Sequence, residues 1–391
     1  MDSYVYVIEK AKCTGCGTCK NICPAGAIFM EADAEGFGYP VIKQDICVHC
    51  GKCTDVCPVS DTAFLNRRPV QEEKVNVYAA WSRDQNIRYH STSGGIFSEL
   101  AAAIIGKGGY VCGAAYDGRQ MVHHRMVHRM EDLGQIRQSK YVQSDMGDTY
   151  HEISGLLREG TEVLFCGTPC QCAGVFRYCR KEGIATGQLY LVDFICRGSN
   201  SPKVYRKFLD ELEERYQSKA ERVWFKNKAY GWNRFSTKIE FENGSCYLED
   251  RYHDVYIRGY IEENLYIRPS CSDCRFKGLQ RCSDITLADF WGVRLEGKMQ
   301  ESDGGTSMVM LHSEKGRKLW DGISSSVFYT EKKLEDVVPG NICFRHSAPP
   351  GIHRAQFMRD LDRMPVIRNI ERFLEKREGR EGEGYGKSKS R

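Results

Sequence analysis

The chain has 391 residues, of which 41% are hydrophobic and 28% charged, and its formal net charge is +4. This composition is typical of an ordinary soluble protein of about two or three domains, and so small a charge argues against a nucleic-acid partner. No stretch is apolar for long enough to cross a membrane, and the acidic N-terminus lacks the apolar core of a signal peptide. We therefore expect a cytoplasmic protein with reduced thiols.

Eight of the 19 cysteines form two copies of the spacing C-x2-C-x2-C-x3-C-P near the N-terminus. Closely spaced thiolates bind one [4Fe-4S] cluster, while the last cysteine of each run reaches the neighbouring cluster. The predicted ligand sets are therefore crossed: Cys13, Cys16, Cys19 and Cys57 (the Cys13 cluster), and Cys47, Cys50, Cys53 and Cys23 (the Cys50 cluster). The alternative metal is zinc, which favours separated C-x2-C pairs and fits this doubled run badly.

Residues 1–65 are predicted to form an α+β ferredoxin-like module, with short strands at 4–8 and 40–42 beside the cysteine loops. Residues 66–73 are polar and interrupted by a proline, which predicts a linker. At the other end, residues 346–391 are expected to form a helical and disordered charged tail, which is rich in glycine after residue 379.

A strand is predicted at residues 75–81, and hydroxyl groups and glycines then precede an apolar helix over 96–105. The free N–H groups at such a helix start suit an anion, typically a phosphate, and Ser93, Gly94 and Gly95 would lie against it. A simple cap on a buried helix explains the same residues.

A further strand is predicted at residues 110–116, before three histidines: His123, His124 and His128. No acidic residue or cysteine lies at ligand spacing from them, so we interpret them as one face of a strand rather than a metal site. The polar and aromatic loop at 138–144 is a candidate for cofactor contact.

Two strand–turn–helix units follow, the arrangement in which α/β proteins bind ligands beyond the carboxyl ends of parallel strands. The first strand, 162–165, leads into the segment CGTPCQCAG and a helix, and the second, 189–195, ends at Cys196 before a helix opened by Pro202. Aromatic strand segments within 221–241 and the turn Asn243-Gly244 then predict a hairpin.

The pair Cys271 and Cys274 needs two further thiolates to complete a third metal centre. Cys170 and Cys196 are the predicted partners, because both lie just past the ends of adjacent candidate parallel strands and hence at one edge of the sheet. Cys166, Cys172 and Cys282 compete for these positions. A zinc site with the same four ligands is the alternative to a [4Fe-4S] cluster.

The segments STSGGIFSELA, CGTPCQCAG, VDFICRGSNSP and RPSCSDCRFKG resemble the β-subunit family of coenzyme F420 hydrogenases and dehydrogenases, in the form fused to a ferredoxin domain. The resemblance covers about residues 1–345. It implies an α/β flavin-binding core, with an N-terminal part at 74–155 and a C-terminal part at 156–345, that binds FAD and one [4Fe-4S] cluster. By motif it places the third cluster on Cys170, Cys196, Cys271 and Cys274, and flavin contacts at Ser93, Gly94, Gly95, Ser139, Lys140 and Thr168.

We therefore expect a flavin- and iron–sulfur-dependent oxidoreductase, in which FAD exchanges hydride with F420 or another small acceptor. The clusters would pass single electrons to or from a redox partner protein or a small-molecule donor or acceptor. The resemblance does not specify the substrate, the catalytic residues or the oligomeric state. The alternative is a non-catalytic electron-transfer subunit of a larger hydrogenase, dehydrogenase or reductase complex.

Overall fold

The computed structural model describes residues 9–60, 75–295 and 303–374. The predicted strand at 4–8, the predicted linker at 66–73 and the glycine-rich end after residue 379 lie outside these ranges. Within them, no helix combines the length and apolar character needed to cross a membrane.

The N-terminal module is built on an antiparallel pair, β1 (Ile28–Ala32) and β2 (Gly38–Ile42), which includes the strand predicted at 40–42. Two short helices, α1 (Thr18–Asn21) and α2 (Lys52–Val56), follow the cysteine loops. Ala27, Ile28 and Ile42 form a small core against which cysteines of both runs pack. The module is therefore ferredoxin-like, as predicted.

Eleven strands follow the module within the described residues. They are β3 (Asn76–Ser82), β4 (Tyr110–Tyr116), β5 (Val122–Val127), β6 (Val163–Cys166), β7 (Leu189–Phe194), β8 (Ala220–Asn227), β9 (Ser236–Phe241), β10 (Cys246–Asp250), β11 (Ile285–Asp289), β12 (Ser307–Leu311) and β13 (Val327–Lys332). Eight form a mixed sheet in the order β13-β3-β12-β11-β7-β6-β4-β5. Its centre, β11-β7-β6-β4, is parallel, which confirms the predicted pairing of the two strand–turn–helix units.

Helices cover both faces of the mixed sheet. They and the remaining helices are α3 (Gln85–Tyr89), α4 (Ile96–Ile105), α5 (Leu133–Ile136), α6 (Thr149–Arg158), α7 (Pro169–Lys181), α8 (Pro202–Tyr216), α9 (Val255–Ile261), α10 (Glu314–Asp321), α11 (Leu334–Val337), α12 (Arg354–Asp360) and α13 (Val366–Glu371). Strand β6 shows the arrangement: Val163 and Phe165 pack with residues of α6 and α7, whereas Leu164 packs with those of α4 and α10. Because successive side chains point to opposite faces, a strand covered on both sides is apolar throughout.

The small antiparallel sheet β10-β9-β8 contains the predicted hairpin, whose turn residue Gly244 has φ +82°. It shares an aromatic core with α8, α9 and the C-terminal helices α12 and α13. Phe357 and Ile370 of those helices are fully buried. Residues up to 374 therefore belong to the packed core, in contrast to the separate charged tail expected from residue 346.

Candidate functional site

The last cysteine of the second run lies beside the first cysteine loop, as a crossed ligand set requires. Cys57 follows α2, while Cys19 lies within α1. Burial raises the pKa of the Cys57 thiol, and the neighbouring Cys16 and Cys13 thiols raise it further. Burial also raises the pKa of Cys19, with Cys16, Cys13 and Cys57 adding to the effect. These four thiols therefore lie near one another, and their assignment as the ligands of one cluster stays a prediction.

The second cysteine loop lies closer to the surface. Cys50 is exposed, whereas Cys16 of the first loop is buried. Cys23 accepts a hydrogen bond from the backbone N–H of Ala27 at 3.3 Å and packs on the same small core as Cys47. On the predicted assignment, the Cys50 cluster is thus the outer of the two ferredoxin clusters and the Cys13 cluster is the inner one.

A cavity at the carboxyl edge of the mixed sheet brings together four cysteines from three separate segments. Cys170 lies in the first turn of α7, and Cys196 follows β7. Cys271 lies within a short 3-10 helix at Pro269–Asp273, and Cys274 directly follows that helix. All four line this cavity, which the first ferredoxin loop closes with Thr14. The structure therefore unites the residues predicted to hold the third metal centre.

These thiols also affect one another electrostatically. Burial raises the pKa of Cys170, and Cys274 and Cys196 raise it further. Burial raises the pKa of Cys196 to about 12, with Cys271 adding to the effect and Lys277 opposing it. The free Cys170 and Cys196 thiols are therefore protonated at neutral pH, and binding of iron would release protons as these thiolate ligands form.

The polar groups around the cavity suit an iron–sulfur cluster. In the described part of the chain, the buried hydroxyl oxygens of Thr14 and Ser270 have no hydrogen-bond partner, and both residues line the cavity. The N–H of Ser199 donates to the Cys271 sulfur at 3.4 Å. Hydrogen-bond donors near sulfur tune iron–sulfur clusters, so this lining fits a [4Fe-4S] group.

The competing cysteines lie elsewhere. Cys172 is buried and faces the carbonyl oxygens of Gly167 and Val192, and Cys282 belongs to the same apolar core cluster. Cys166 ends β6, where burial raises its pKa to about 12 and Lys140 opposes this. Cys166, Cys172 and Cys282 are absent from the lining of the four-cysteine cavity.

The segment before α4 is closely packed by protein. Ser93 donates its hydroxyl to the carbonyl of Thr306 at 2.8 Å, and the N–H of Gly94 donates to the Ser307 hydroxyl at 2.9 Å. A Cβ on Gly94 would lie 2.4 Å from the carbonyl oxygen of Ala80, so this glycine is required by the approach of α4 to β3. Gly95, at φ +91°, directly precedes the helix. A phosphate at this helix start would therefore lack the Gly94 N–H.

Ser139 and Lys140, two other predicted flavin contacts, lie in a neighbouring loop. The N–H of Ser139 donates to the Thr92 hydroxyl at 2.7 Å, which joins this loop to the segment before α4. Desolvation lowers the pKa of Lys140 to about 7. In the described residues, the buried Nε of Arg137 has no hydrogen-bond partner. This loop, rather than the glycines, thus offers polar groups for an anionic cofactor.

Thr168 lies on the cluster side of the site. Its N–H donates to the Gln171 side chain at 2.9 Å, and its hydroxyl is 3.1 Å from the Cys170 sulfur. The three histidines do not converge. His124 stacks on Phe165, whereas His128 packs against Tyr110.

Two charged residues near the cavity were missed by the sequence reasoning. Arg268, at the start of the 3-10 helix, is 1% exposed and donates to the Cys13 carbonyl at 2.7 Å. Lys277 donates to the Cys196 carbonyl at 2.7 Å. Their closeness in sequence to Cys271 and Cys274 was the available signal. Arg197, which also lines the cavity, donates to the Ile261 carbonyl at 2.7 Å.

The comparisons with known proteins agree with this layout. Residues 160–337 match the family model for the C terminus of the coenzyme F420 hydrogenase/dehydrogenase beta subunit. Residues 12–60 and 39–90 match two models of a 4Fe-4S dicluster domain. The resemblance to the F420 hydrogenase β-subunit family is confirmed. The chain is accordingly an iron–sulfur electron-transfer protein related to that family.

Among solved structures, the chain is similar to one from the F420-reducing [NiFe] hydrogenase complex of Methanosarcina barkeri. The two are 17% identical, the match covers 76% of this chain and 90% of that one, and the TM-score is 0.45. At that score the likeness does not establish a shared fold. No curated protein sequence matches the chain.

Proposed function

We propose that this chain, which is related to the β-subunit family, is an iron–sulfur flavoprotein oxidoreductase with three [4Fe-4S] clusters and FAD. The observation that carries the proposal is the four-cysteine cavity, which is closed by the first ferredoxin loop. Cys170, Cys196, Cys271 and Cys274 would hold the third cluster (the Cys170 cluster). The proposed domains are the ferredoxin module at 1–65 and a core at 74–345, divided near residue 156.

The contact between the first ferredoxin loop and the four-cysteine cavity also supports an order of electron transfer. Cys16 lies near enough to Cys170 to raise the pKa of its thiol, so the Cys13 cluster would adjoin the Cys170 cluster. The exposed Cys50 marks the end of the relay that faces solvent. Single electrons would then pass from a redox partner through the Cys50 and Cys13 clusters to the Cys170 cluster, or in reverse.

For the flavin, we propose the crevice beyond the carboxyl ends of β4 and β6, beside the loop of Ser139. FAD supplies the exchange between two-electron hydride chemistry and one-electron steps, with F420 or another small acceptor as the substrate. The protein's part is to bind and orient it. Arg137 would place positive charge near the pyrophosphate, and the anion would favour the protonated form of Lys140. Ser93, Gly94 and Gly95 lie where α4 packs on β3.

Anaerobic purification followed by analysis of iron, sulfide and flavin tests this proposal. Three clusters predict about twelve irons per chain, from four per cluster, together with one FAD. A reproducible value near eight with stoichiometric zinc would contradict the third cluster, and a full iron content without flavin would contradict the flavoprotein.

The second candidate function is a non-catalytic electron-transfer subunit, favoured by the close packing of Gly94 that removes one N–H from the predicted phosphate site. A larger complex would then hold the substrate. Turnover of a small acceptor by the purified single chain would support the enzyme, whereas turnover only after addition of a partner protein would support this alternative.

A further inference from the structure

Arg268 stands between the ligand loops of two clusters. Its backbone carbonyl accepts the N–H of Cys271 at 2.9 Å, within the loop that lines the four-cysteine cavity. Its side chain reaches the ferredoxin module, where Nε donates to the Cys13 carbonyl at 2.7 Å and Nη2 to the Gly38 carbonyl at 3.0 Å. One residue thus joins segments about 255 positions apart in the chain.

In the part of the chain that the structure describes, the positive charge of Arg268 is buried without a carboxylate partner. The side chain is 1% exposed, and its third acceptor is the amide oxygen of Gln143 at 2.9 Å. It lies over the ring of Tyr39, with its central carbon 4.3 Å from the ring centroid. Among the described residues no carboxylate forms an ion pair with it. Amide dipoles and an aromatic ring stabilise the charge without cancelling it, so its field extends to the adjacent thiolates.

We propose that Arg268 is a positioning residue of the electron relay: it fixes the Cys13 loop against the Cys271 loop, and its charge raises the reduction potential of the Cys13 cluster. The role of Arg268 between the two loops rests on the proposed function, because it requires the Cys170 cluster. The effect of Arg268 on the potential of the Cys13 cluster does not depend on the Cys170 cluster. A cluster with four thiolate ligands becomes more negative when it gains an electron, so a nearby buried cation stabilises the reduced form.

With the three clusters bound, the Cys13 cluster would gain one electron as the Cys50 cluster loses one, and the Cys170 cluster would gain one as the Cys13 cluster loses it. The first electron comes from an external one-electron donor, such as a reduced iron–sulfur protein. A higher potential at the Cys13 cluster favours its reduction by the outer cluster, and it does so without any bond or proton being exchanged.

The test compares Arg268→Met with Arg268→Lys in the full chain, by anaerobic redox titration followed by electron paramagnetic resonance. Arg268→Met should lower the equilibrium constant for reduction of the Cys13 cluster about tenfold, a shift of 59 mV for a one-electron couple. Arg268→Lys keeps the charge and should retain most of the wild-type potential. A background that carries both Cys50→Ser and Cys196→Ser, which disrupts the outer cluster and the Cys170 cluster, identifies the signal of the Cys13 cluster.

Arg354 provides a matched control. It also joins the core to the ferredoxin module, donating to the Ile267 carbonyl at 3.0 Å and to the Glu35 carboxylate, which neutralises its charge. The paired substitution of Arg354→Gln and Glu35→Gln removes both charges together and should therefore weaken docking without moving any potential. Unchanged potentials in a folded Arg268→Met protein with full iron would overturn the inference, as would equal shifts in Arg268→Lys and Arg268→Met.

If Arg268→Met loses iron, Arg268→Gln, which removes the charge but keeps an N–H donor for the carbonyls, takes its place in the comparison with Arg268→Lys. A wild-type iron content near eight would reject the Cys170 cluster and leave the shift of the Cys13 cluster measurable. The failure of the proposed function and the failure of this inference are therefore distinguishable.

Discussion

Cys196 and Cys282 have the same side chain, but their surroundings differ. Cys196 lines the four-cysteine cavity next to Cys271, whereas Cys282 is 4% exposed and packs among apolar side chains. A thiol in an apolar core behaves as a small hydrophobic group, while a thiol at a cavity shared with other thiols is available as a metal ligand.

Replacement of Cys196 by serine should remove about four irons per chain, one cluster's content, because serine does not offer a soft thiolate. Cys282→Ala should keep the full iron content and lower the free energy of unfolding by about 1 kcal/mol, the cost of a small buried deletion. Iron analysis and thermal unfolding measure the two effects. Iron loss in Cys282→Ala, with full retention in Cys196→Ser, would mean that the ligand assignment is wrong.

The sequence could predict which cysteines lie close together, because cluster ligands follow short, regular spacings and the ends of adjacent parallel strands lie at one edge of the sheet. The contact between Arg268 and the Cys13 carbonyl could not be predicted, because the two residues lie 255 positions apart in the sequence and meet only through docking of the ferredoxin module. The role of Gly94 was also undetermined, since a glycine beside a phosphate and a glycine beside a strand have the same sequence signature.

At the scale of elements, the first ferredoxin loop packs directly onto α7. Gly174 makes this approach possible: a Cβ there would lie 2.4 Å from the Thr18 hydroxyl and 2.7 Å from that of Tyr150. Thr18 and Tyr150 are fully buried and bonded to each other at 3.0 Å. They have little room to move away, so the distance between α7 and the Cys13 loop depends on this glycine.

Gly174→Ala should therefore lower stability by about 1–3 kcal/mol, as overpacking does, despite alanine's better helix propensity. Gly155→Ala in α6 is the matched control, because nothing lies within 4 Å of its added Cβ. It should raise stability by up to about 1 kcal/mol through propensity alone. Circular dichroism during thermal unfolding compares them, and equal effects of the two substitutions would refute the close contact.

The bounds of a helix or strand could be predicted where the sequence pattern within that element determines them. The sequence predicts a helix at 96–105 and a strand at 110–116, and the structure has α4 and β4 at those bounds. The packing of α12 and α13 could not be predicted, because their sequence is mostly charged and has few apolar residues. Those few, such as Phe357 and Ile370, pack in an aromatic core formed by residues distant in sequence.

At the scale of the molecule, the ferredoxin module and the core are held together mainly by buried contacts. The Tyr150 hydroxyl donates to the Cys16 carbonyl at 2.6 Å, and Phe37 is fully buried. Ion pairs such as Lys20–Asp148 at 3.2 Å and Lys181–Asp55 at 2.8 Å lie at the surface. Exposed pairs contribute about 0–1 kcal/mol each and weaken in salt.

A protease site placed in the predicted linker at 66–73 should therefore yield two fragments that stay together. Size-exclusion chromatography should show them eluting as one species at low salt and also at high salt, because screening removes only the weak surface pairs. Separation of the fragments by salt alone would show that surface charge, rather than the buried contacts, holds the module in place.

The contrast between the exposed Cys50 and the buried Cys16 also bears on how the protein would be damaged by oxygen. On the proposed assignment, an oxidant diffusing from solution would reach the Cys50 cluster first, since accessible thiolates are the most readily oxidised. The proposed inner clusters would be shielded by the module itself. Brief exposure to air should then block electron exchange with the proposed redox partner while the groups around α7 stay intact, and rebuilding one outer cluster would be enough to restore it.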